Sequence, residues 1–365
     1  MDSGSITAVA SKHVDRLSTF TCGFDMSETT GREANFDERK DAEVMANHFK
    51  TEHFEQVMNA GDIRWSLPKL VYHLEDLRVG MSYPSYYISR LASKFVKVCL
   101  QGTGGDELFG GYPWRYYKVF DSISQKNFFD QYYDFWQRLV PDQEKEDLFT
   151  KQVFDKIDVK EPRRVFERVF TFNDKLKYNT PEEHINNSLY FEIKTFLPGL
   201  FLVGDKLAMA HGLEERFPFM DNDLVDFAMK VPVKHKLGNL TKKIAKIDEN
   251  ETFNKKKSIL YQEFDDGKNV LRKAMSDFIP KEIINRKKQG FSAPDESWYR
   301  GENAEYVKEL LLNDNTFSTK YISKDYIKKI VKEHIEEGIN HRLLIWSFMN
   351  FEWWCKIFLN NESID

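Results

Sequence analysis

The thirteen residues from Leu100 to Tyr112, LQGTGGDELFGGY, hold the densest chemistry in the sequence. Their five glycines let the backbone turn sharply and come close to a ligand, and Asp106 and Glu107 set two carboxylates among them. The β-branched run Val96 to Leu100 (VKVCL) ends where the glycines begin. The acids therefore fall at the carboxyl end of a predicted strand, which is where open α/β sheets bind ligands. For a generic loop of this kind, a Gly-rich turn with two solvated acids is the plainer reading. The length and specificity of this run argue against it.

The run resembles the SGxGGDELFGGY segment of asparagine synthetases, and three further blocks resemble that family in the same order. The N-terminal MDSGSITAVAS is similar to the continuation of the family's SGGxDS pyrophosphate loop, with Asp2 and Ser3 in the last two motif positions. Gly204 to Asp221, GDKLAMAHGLEERFPFMD, is similar to DRMSMAHGLEVRVPFLD. Leu271 to Phe291, LRKAMSDFIPKEIINRKKQGF, resembles the LRKAL…LP…I…R.KQGF block.

This resemblance implies an adenine-nucleotide α-hydrolase-like (HUP) fold and a two-step reaction. Aspartate attacks the α-phosphorus of ATP to give β-aspartyl-AMP and pyrophosphate, and ammonia then displaces AMP. By the same carry-over, N–H groups at a helix N-terminus cradle pyrophosphate beside Asp2 and Ser3. Mg²⁺ is shared between Asp2 and Asp106. Lys288 brings positive charge over the α-phosphate. Backbone near Cys22 holds adenine, Gly102 and Gly104 lie against the nucleotide, and Tyr112 lines the acyl-adenylate pocket. Thr103, Glu107 and Arg216 fall to the substrate. Glu214, Arg216 and Asp221 are equally readable as structural ion-pairing groups, and His211 as a core histidine.

Two departures qualify the carry-over. Where the family has Ser-Gly-Asp or Ser-Gly-Glu, this chain has Gln101-Gly102-Thr103, so a neutral hydroxyl replaces an acid near the substrate. That change weakens recognition of an α-ammonium group and leaves room for another carboxylate. The second departure is at Met1, where the Ser-Gly-Gly of the loop and its leading strand are expected to be missing, together with the glutaminase domain. On that reading two strand edges are left unpaired and the chain has little synthetase activity. Ammonia then comes from a glutaminase domain or chain outside the sequence.

Composition sets the outer bounds. At 365 residues the chain exceeds one ordinary hydrophobic core, and with 41% apolar and 15% aromatic residues it is a folded globular protein. A net charge of -5 supplies no basic field for nucleic acid. The Lys242–Lys257 cluster is broken by Asp248, Glu249 and Glu251 and reads as a solvated face. Three cysteines without CxxC spacing fit a reducing cytoplasm rather than a disulfide framework or a zinc site. No window approaches the ~18 apolar residues of a spanning helix, and the apolar tail HRLLIWSFMNFEWWCKIFL reads as a buried amphipathic helix.

The elements that must position these residues alternate. Periodicity predicts helices at Ser5 to Val14, Asp37 to Phe49, Ile63 to Leu77 and Tyr83 to Phe95, and strands at Ser18 to Phe24, His53 to Met58 and Val96 to Leu100. The fold class is α/β: a parallel sheet with helices on both faces, followed by a mostly helical lobe. The division falls at 1–115 and 116–365. Past Tyr116 the strand signal ends and helical patterns cover Glu182 to Met209, Leu224 to Met229 and Val270 to Ile279. The readings in play are the amide-forming ligase using aspartate, ATP and ammonia, an adenylating amidotransferase or cyclase acting on another carboxylate, and an inactive homologue. A homodimer is compatible with each.

Overall fold

The computed structural model describes residues 1–364 apart from 28, 30, 118, 120, 121, 123, 138, 239–266, 287–289 and 291. Helix α1 (Asp2–Ala10) opens the chain and leads to strand β1 (Ser18–Phe24). Helix α2 (Arg39–Phe49), strand β2 (Glu52–Met58), and helices α3 (Gly61–Leu74) and α4 (Tyr83–Ala92) follow. Strand β3 (Val98–Leu100) then runs into the short helix α5 (Gly105–Phe109). Helix α1 starts three residues before the predicted Ser5, which places Asp2 and Ser3 in its first turn. It buries Gly4, Ser5 and Ala8, small residues that let it lie close to its neighbours; a Cβ on Gly4 would stand 2.9 Å from Met45 Cε on α2.

The predicted parallel pairing is present, but as two small sheets rather than one. Strand β1 pairs with β2 in the register Ser18 to Glu52 through Phe24 to Met58. Strand β3 pairs with β4 (Glu214–Arg216) in the register Val98 to Glu214 through Leu100 to Arg216. Strand β4 corrects the expectation that strands end near Tyr116. A three-residue strand reading Glu-Glu-Arg carries no apolar alternation, so only its tertiary partner reveals it. The two pairs meet at the buried cluster of Ala92, Ala208 and Leu213, against which Phe20 of β1 and Val96 and Cys99 at β3 all pack, while Phe20 stacks on Phe54 at 5.5 Å.

The helical stretch from Glu182 is interrupted once. Helices Pro181–Phe191 and Leu197–Met209 are joined by a π-helical turn, Glu192–Phe196, and the first is capped by a capping box between Thr180 and Glu183. The tail folds as helix Arg342–Trp354 and packs back on the first half of the chain. Its Trp346 is 1% exposed, lies 5.8 Å from the Tyr83 ring, and donates from Nε1 to the Arg78 carbonyl at 3.2 Å. The cysteines are free, and among the described residues no helix is long and apolar enough to cross a membrane.

Candidate functional site

Glycines bring the first helix onto the loop after β3. A Cβ on Gly102 would stand 2.6 Å from the Ser3 backbone nitrogen, and one on Gly105 would stand 2.7 Å from Asp2 Cγ. Both positions therefore have to be glycine for the N-terminus of α1 to sit there. Gly104 adds a left-handed conformation, with φ of 101°, that turns the chain into α5. Asp2, Ser3, Gly102, Gly104 and Asp106, named separately along the sequence, thus converge on one locus.

The centre of that locus is a residue that the sequence reading does not single out. Lys268 is 3% exposed, and its ammonium ion-pairs with Asp2 and with Asp106 Oδ1, the latter at 2.5 Å. Burial works against its charge, but Asp106 and Asp2 outweigh that and hold the ammonium above its usual range. The backbone bends to deliver it. Lys268 has φ of 61°, a left-handed conformation uncommon for a non-glycine residue, and its N–H donates to the Phe109 carbonyl at 3.1 Å. A Cβ on Gly111 would overlap the Asp106 carboxylate and reach 2.5 Å from Lys268 Cε. The signal available in sequence is slight, a lone lysine three residues ahead of the Leu271–Arg272 pair.

A second polar cluster runs inward from the same loop. Glu107 is 1% exposed and accepts from the Tyr112 hydroxyl at 3.1 Å. Burial, followed by the charge of Asp106, pushes its carboxyl up to about 7. The Arg115 guanidinium lies 3.9 Å from the centre of the Tyr112 ring, and its Nη1 lies 3.5 Å from Glu192 Oε1. Glu192 is fully buried at the start of the π-helical turn and accepts from the Tyr116 hydroxyl at 2.9 Å. Burial raises its carboxyl too, with Arg115 opposing.

The remaining residues spread around this centre. Thr103 Oγ1 donates to Gln101 Oε1 at 3.3 Å. Arg216 lies at the end of β4, where its Nη1 donates to Glu214 Oε2 at 2.7 Å and to the Glu215 carbonyl at 2.9 Å. Asp221 accepts from the backbone N–H groups of Asp223 and Leu224, so it caps helix Asn222–Lys230. His211 packs 4.5 Å from the Tyr86 ring. Cys22 is buried on β1 with its sulfur 3.9 Å from Met58 Sδ, and burial pushes its thiol up. Lys288 and the Lys242–Lys257 cluster lie outside the described residues. Arg286, two positions before Lys288, ion-pairs at 2.8 Å with Glu38, just ahead of α2, and at 2.7 Å with Asp41 in its first turn.

A Mg²⁺ ion fits the donor set. Asp2 Oδ1 is buried with no hydrogen-bond partner among the described residues. No group of three or more His, Cys, Asp or Glu side chains able to hold a metal occurs among the described residues. Two carboxylates are nevertheless what Mg²⁺ takes from protein when phosphates and water complete its shell.

A family model described as asparagine synthase matches residues 1–356. Asparagine synthetase [glutamine-hydrolyzing] 1 of Bacillus subtilis is 27% identical over 98% of this chain and 55% of its own length. A putative asparagine synthetase [glutamine-hydrolyzing] of Mycobacterium bovis is 25% identical over 100% of this chain and 54% of its own length. Amidase chry2 of Gibberella zeae is 26% identical over 36% of this chain and 17% of its own length. The chain spans about half the length of the two synthetases it matches.

Proposed function

The chain belongs to the asparagine synthase family, and from that premise we propose that it carries the ATP-dependent, amide-forming reaction on aspartate. The aspartate β-carboxylate bonds to the α-phosphorus of ATP and pyrophosphate leaves. Ammonia then bonds to the activated carbonyl, AMP leaves, and the nitrogen gives up a proton. The observation that carries this reading is the buried Lys268 held between Asp2 and Asp106 where the N-terminus of α1 meets the glycine loop.

Each part has a physical role. The first-turn N–H groups of α1 lack intrahelical partners and face an anion favourably, as pyrophosphate requires. The Lys268 ammonium, fixed in a dry site, stabilises negative charge that builds on the phosphoryl oxygens in the transition state. Asp2 and Asp106 would hold Mg²⁺, which supplies charge neutralisation for the leaving pyrophosphate. Glu107, poised near neutral pH beside Tyr112, is the member of the inner cluster suited to take the proton released by the nitrogen. By the family resemblance, Lys288 would bring positive charge over the α-phosphate and backbone near Cys22 would hold adenine. The ammonia source is a glutaminase domain or chain, in keeping with the names of the relatives.

Thr103 favours a second reading, in which a different carboxylate is adenylated, because no acid stands at that position. One experiment addresses both. The protein at its natural full length is given ATP, ammonia and aspartate labelled with ¹⁸O in its β-carboxylate. Transfer of label to AMP is the expected result. ATP turnover with another carboxylate, and none with aspartate, overturns the first reading in favour of the second.

A further inference from the structure

Position 215 holds glutamate where the block quoted above has valine, and position 101 holds glutamine where the family has serine. The two replacements meet in the fold. Glu215 lies on β4 opposite Cys99 of β3, is 8% exposed, and accepts a hydrogen bond from Gln101 Nε2. Gln101 Oε1 in turn accepts from Thr103 Oγ1 at 3.3 Å. The other carboxyl oxygen, Glu215 Oε2, is buried without a hydrogen-bond partner among the described residues and would lie 2.5 Å from a Cβ on Gly204. The groups facing this carboxyl are Asp205 on helix Leu197–Met209 and, on or just past β3, the Cys99 thiol and Gln101. Arg216 adjoins it in sequence but turns to Glu214 and to the Glu215 backbone carbonyl. Burial first, then Asp205, push the Glu215 carboxyl up to about 7, against the opposing hydrogen bond from Gln101.

The direction of these bonds is set at their buried end. An ionised Glu215 can only accept, so Gln101 must give it Nε2 and turn Oε1 to Thr103. Thr103 then uses its one proton on Gln101 and shows lone pairs to its surroundings. A protonated Glu215 can donate to Gln101 Oε1 instead. The amide then turns over, Thr103 accepts from Nε2, and its own proton points outward.

We propose that Glu215, acting through Gln101, is a positioning residue that decides whether Thr103 offers a lone pair or a proton to the acceptor substrate. In its ionised state the relay selects carboxylic acids that carry an amine over counterparts that lack one. This rests on the adenylating function above, with Thr103 at the substrate. The selection would sit in binding, because Thr103 touches a part of the substrate that does not react.

Aspartate and succinate differ by the amine alone, and the aspartate amine stays protonated through neutral pH. Pyrophosphate release by the full-length protein is measured with each acid from about pH 6 to about pH 8. The aspartate-to-succinate ratio of kcat/KM should rise about tenfold with pH, carried by KM, since one hydrogen bond to a charged group is gained. Glu215→Gln, which keeps the shape and can use Asp205 as a partner, should flatten that rise, and Thr103→Val should do the same. Independently of turnover, the parent-minus-Glu215→Gln infrared difference spectrum should show a protonated-carboxyl band that fades near pH 7, the bands of Glu107 and Asp295 being common to both proteins and cancelling. A Glu215→Gln variant that keeps the pH-dependent ratio, or a difference spectrum without the band, overturns the relay. A band that titrates while the ratio stays flat overturns the substrate selection alone. Absence of pyrophosphate release with either acid, with the band intact, overturns the adenylating function and the selection with it.

Discussion

At the scale of single residues, one lysine sits where two carboxylates would otherwise face each other. Removing the cation from such a buried arrangement leaves the anions uncompensated, at a cost on the order of 3 kcal/mol. The side chains of Asp2 and Asp106 are 15% and 14% exposed, so solvent lowers this somewhat. Lys268→Met should therefore lose about 2 kcal/mol in urea unfolding at neutral pH without divalent metal. Added Mg²⁺ should recover part of it by standing between the same carboxylates; a variant as stable as the parent would remove the structural basis for the site. Lys288 is a separate expectation resting on the R-x-K-x-x-F spacing of Arg286, Lys288 and Phe291. Lys288→Ala should lower kcat about 100-fold with a smaller change in KM for ATP, against a mild effect of Lys287→Ala. Equal and mild effects of the two would leave Lys268 as the cation that acts on the phosphates.

At the scale of elements, the site exists because a helix start can touch a loop. The contact depends on missing side chains rather than present ones. Gly102→Ala would push a methyl group to 2.6 Å from a backbone nitrogen that cannot rotate away, and overpacking of this kind costs typically 1–3 kcal/mol. The thermal midpoint should fall by several degrees and pyrophosphate release should fall with it. Gly290→Ala is the control, because nothing among the described residues lies within 4 Å of a Cβ there, and its midpoint should stay within about one degree. Similar losses for the two glycines would mean that general chain stiffening, rather than the approach of α1, explains the effect. The same logic accounts for what periodicity reveals and what it misses. Strand β1 was legible to the residue because STFTCGF is β-rich and bounded, whereas β4 was hidden because Glu214, Glu215 and Arg216 earn their strand conformation from β3 alone.

At the scale of the whole molecule, buried acids link stability to pH. Asp295 is 2% exposed, accepts from the Tyr83 hydroxyl at 2.8 Å, and is pushed up to about 7 by burial, with Arg342 opposing. An unfolded aspartate titrates near 4, so between about pH 4 and about pH 7 the folded chain binds the extra proton. Stability from this group is then full at the acid end of that window and is lost as pH rises through it. Glu107 and Glu215, both pushed up to about 7, act with the same sign. Asp295→Asn keeps an acceptor for Tyr83 without the titration, so its stability should fall less than the parent's between about pH 5 and about pH 7.5, by an amount on the order of a few kcal/mol. Parallel pH profiles in thermal unfolding would show that Asp295 is ionised throughout. Trp346→Ala belongs to this scale too, since that ring ties the tail to Tyr83 and Arg78 across the chain. It should cost about 3–5 kcal/mol in denaturant unfolding.

The sequence by itself determined the family, the succession of helices and strands up to Leu100, and the identity of the glycine-and-acid loop. These are properties of local composition: periodicity fixes an element's type, and a motif's spacing survives in the linear chain. What only the tertiary structure decided was which distant residues complete that loop. Lys268 reaches Asp2 and Asp106 from 266 and 162 positions away, and Glu215 reaches Gln101 from 114. No local signal marks such partners, because a lone lysine or glutamate looks the same on paper whether it faces water or a buried charge. The division of the strands into two small parallel pairs was decided there too, since backbone hydrogen bonding between segments far apart in sequence depends on how the helices between them pack.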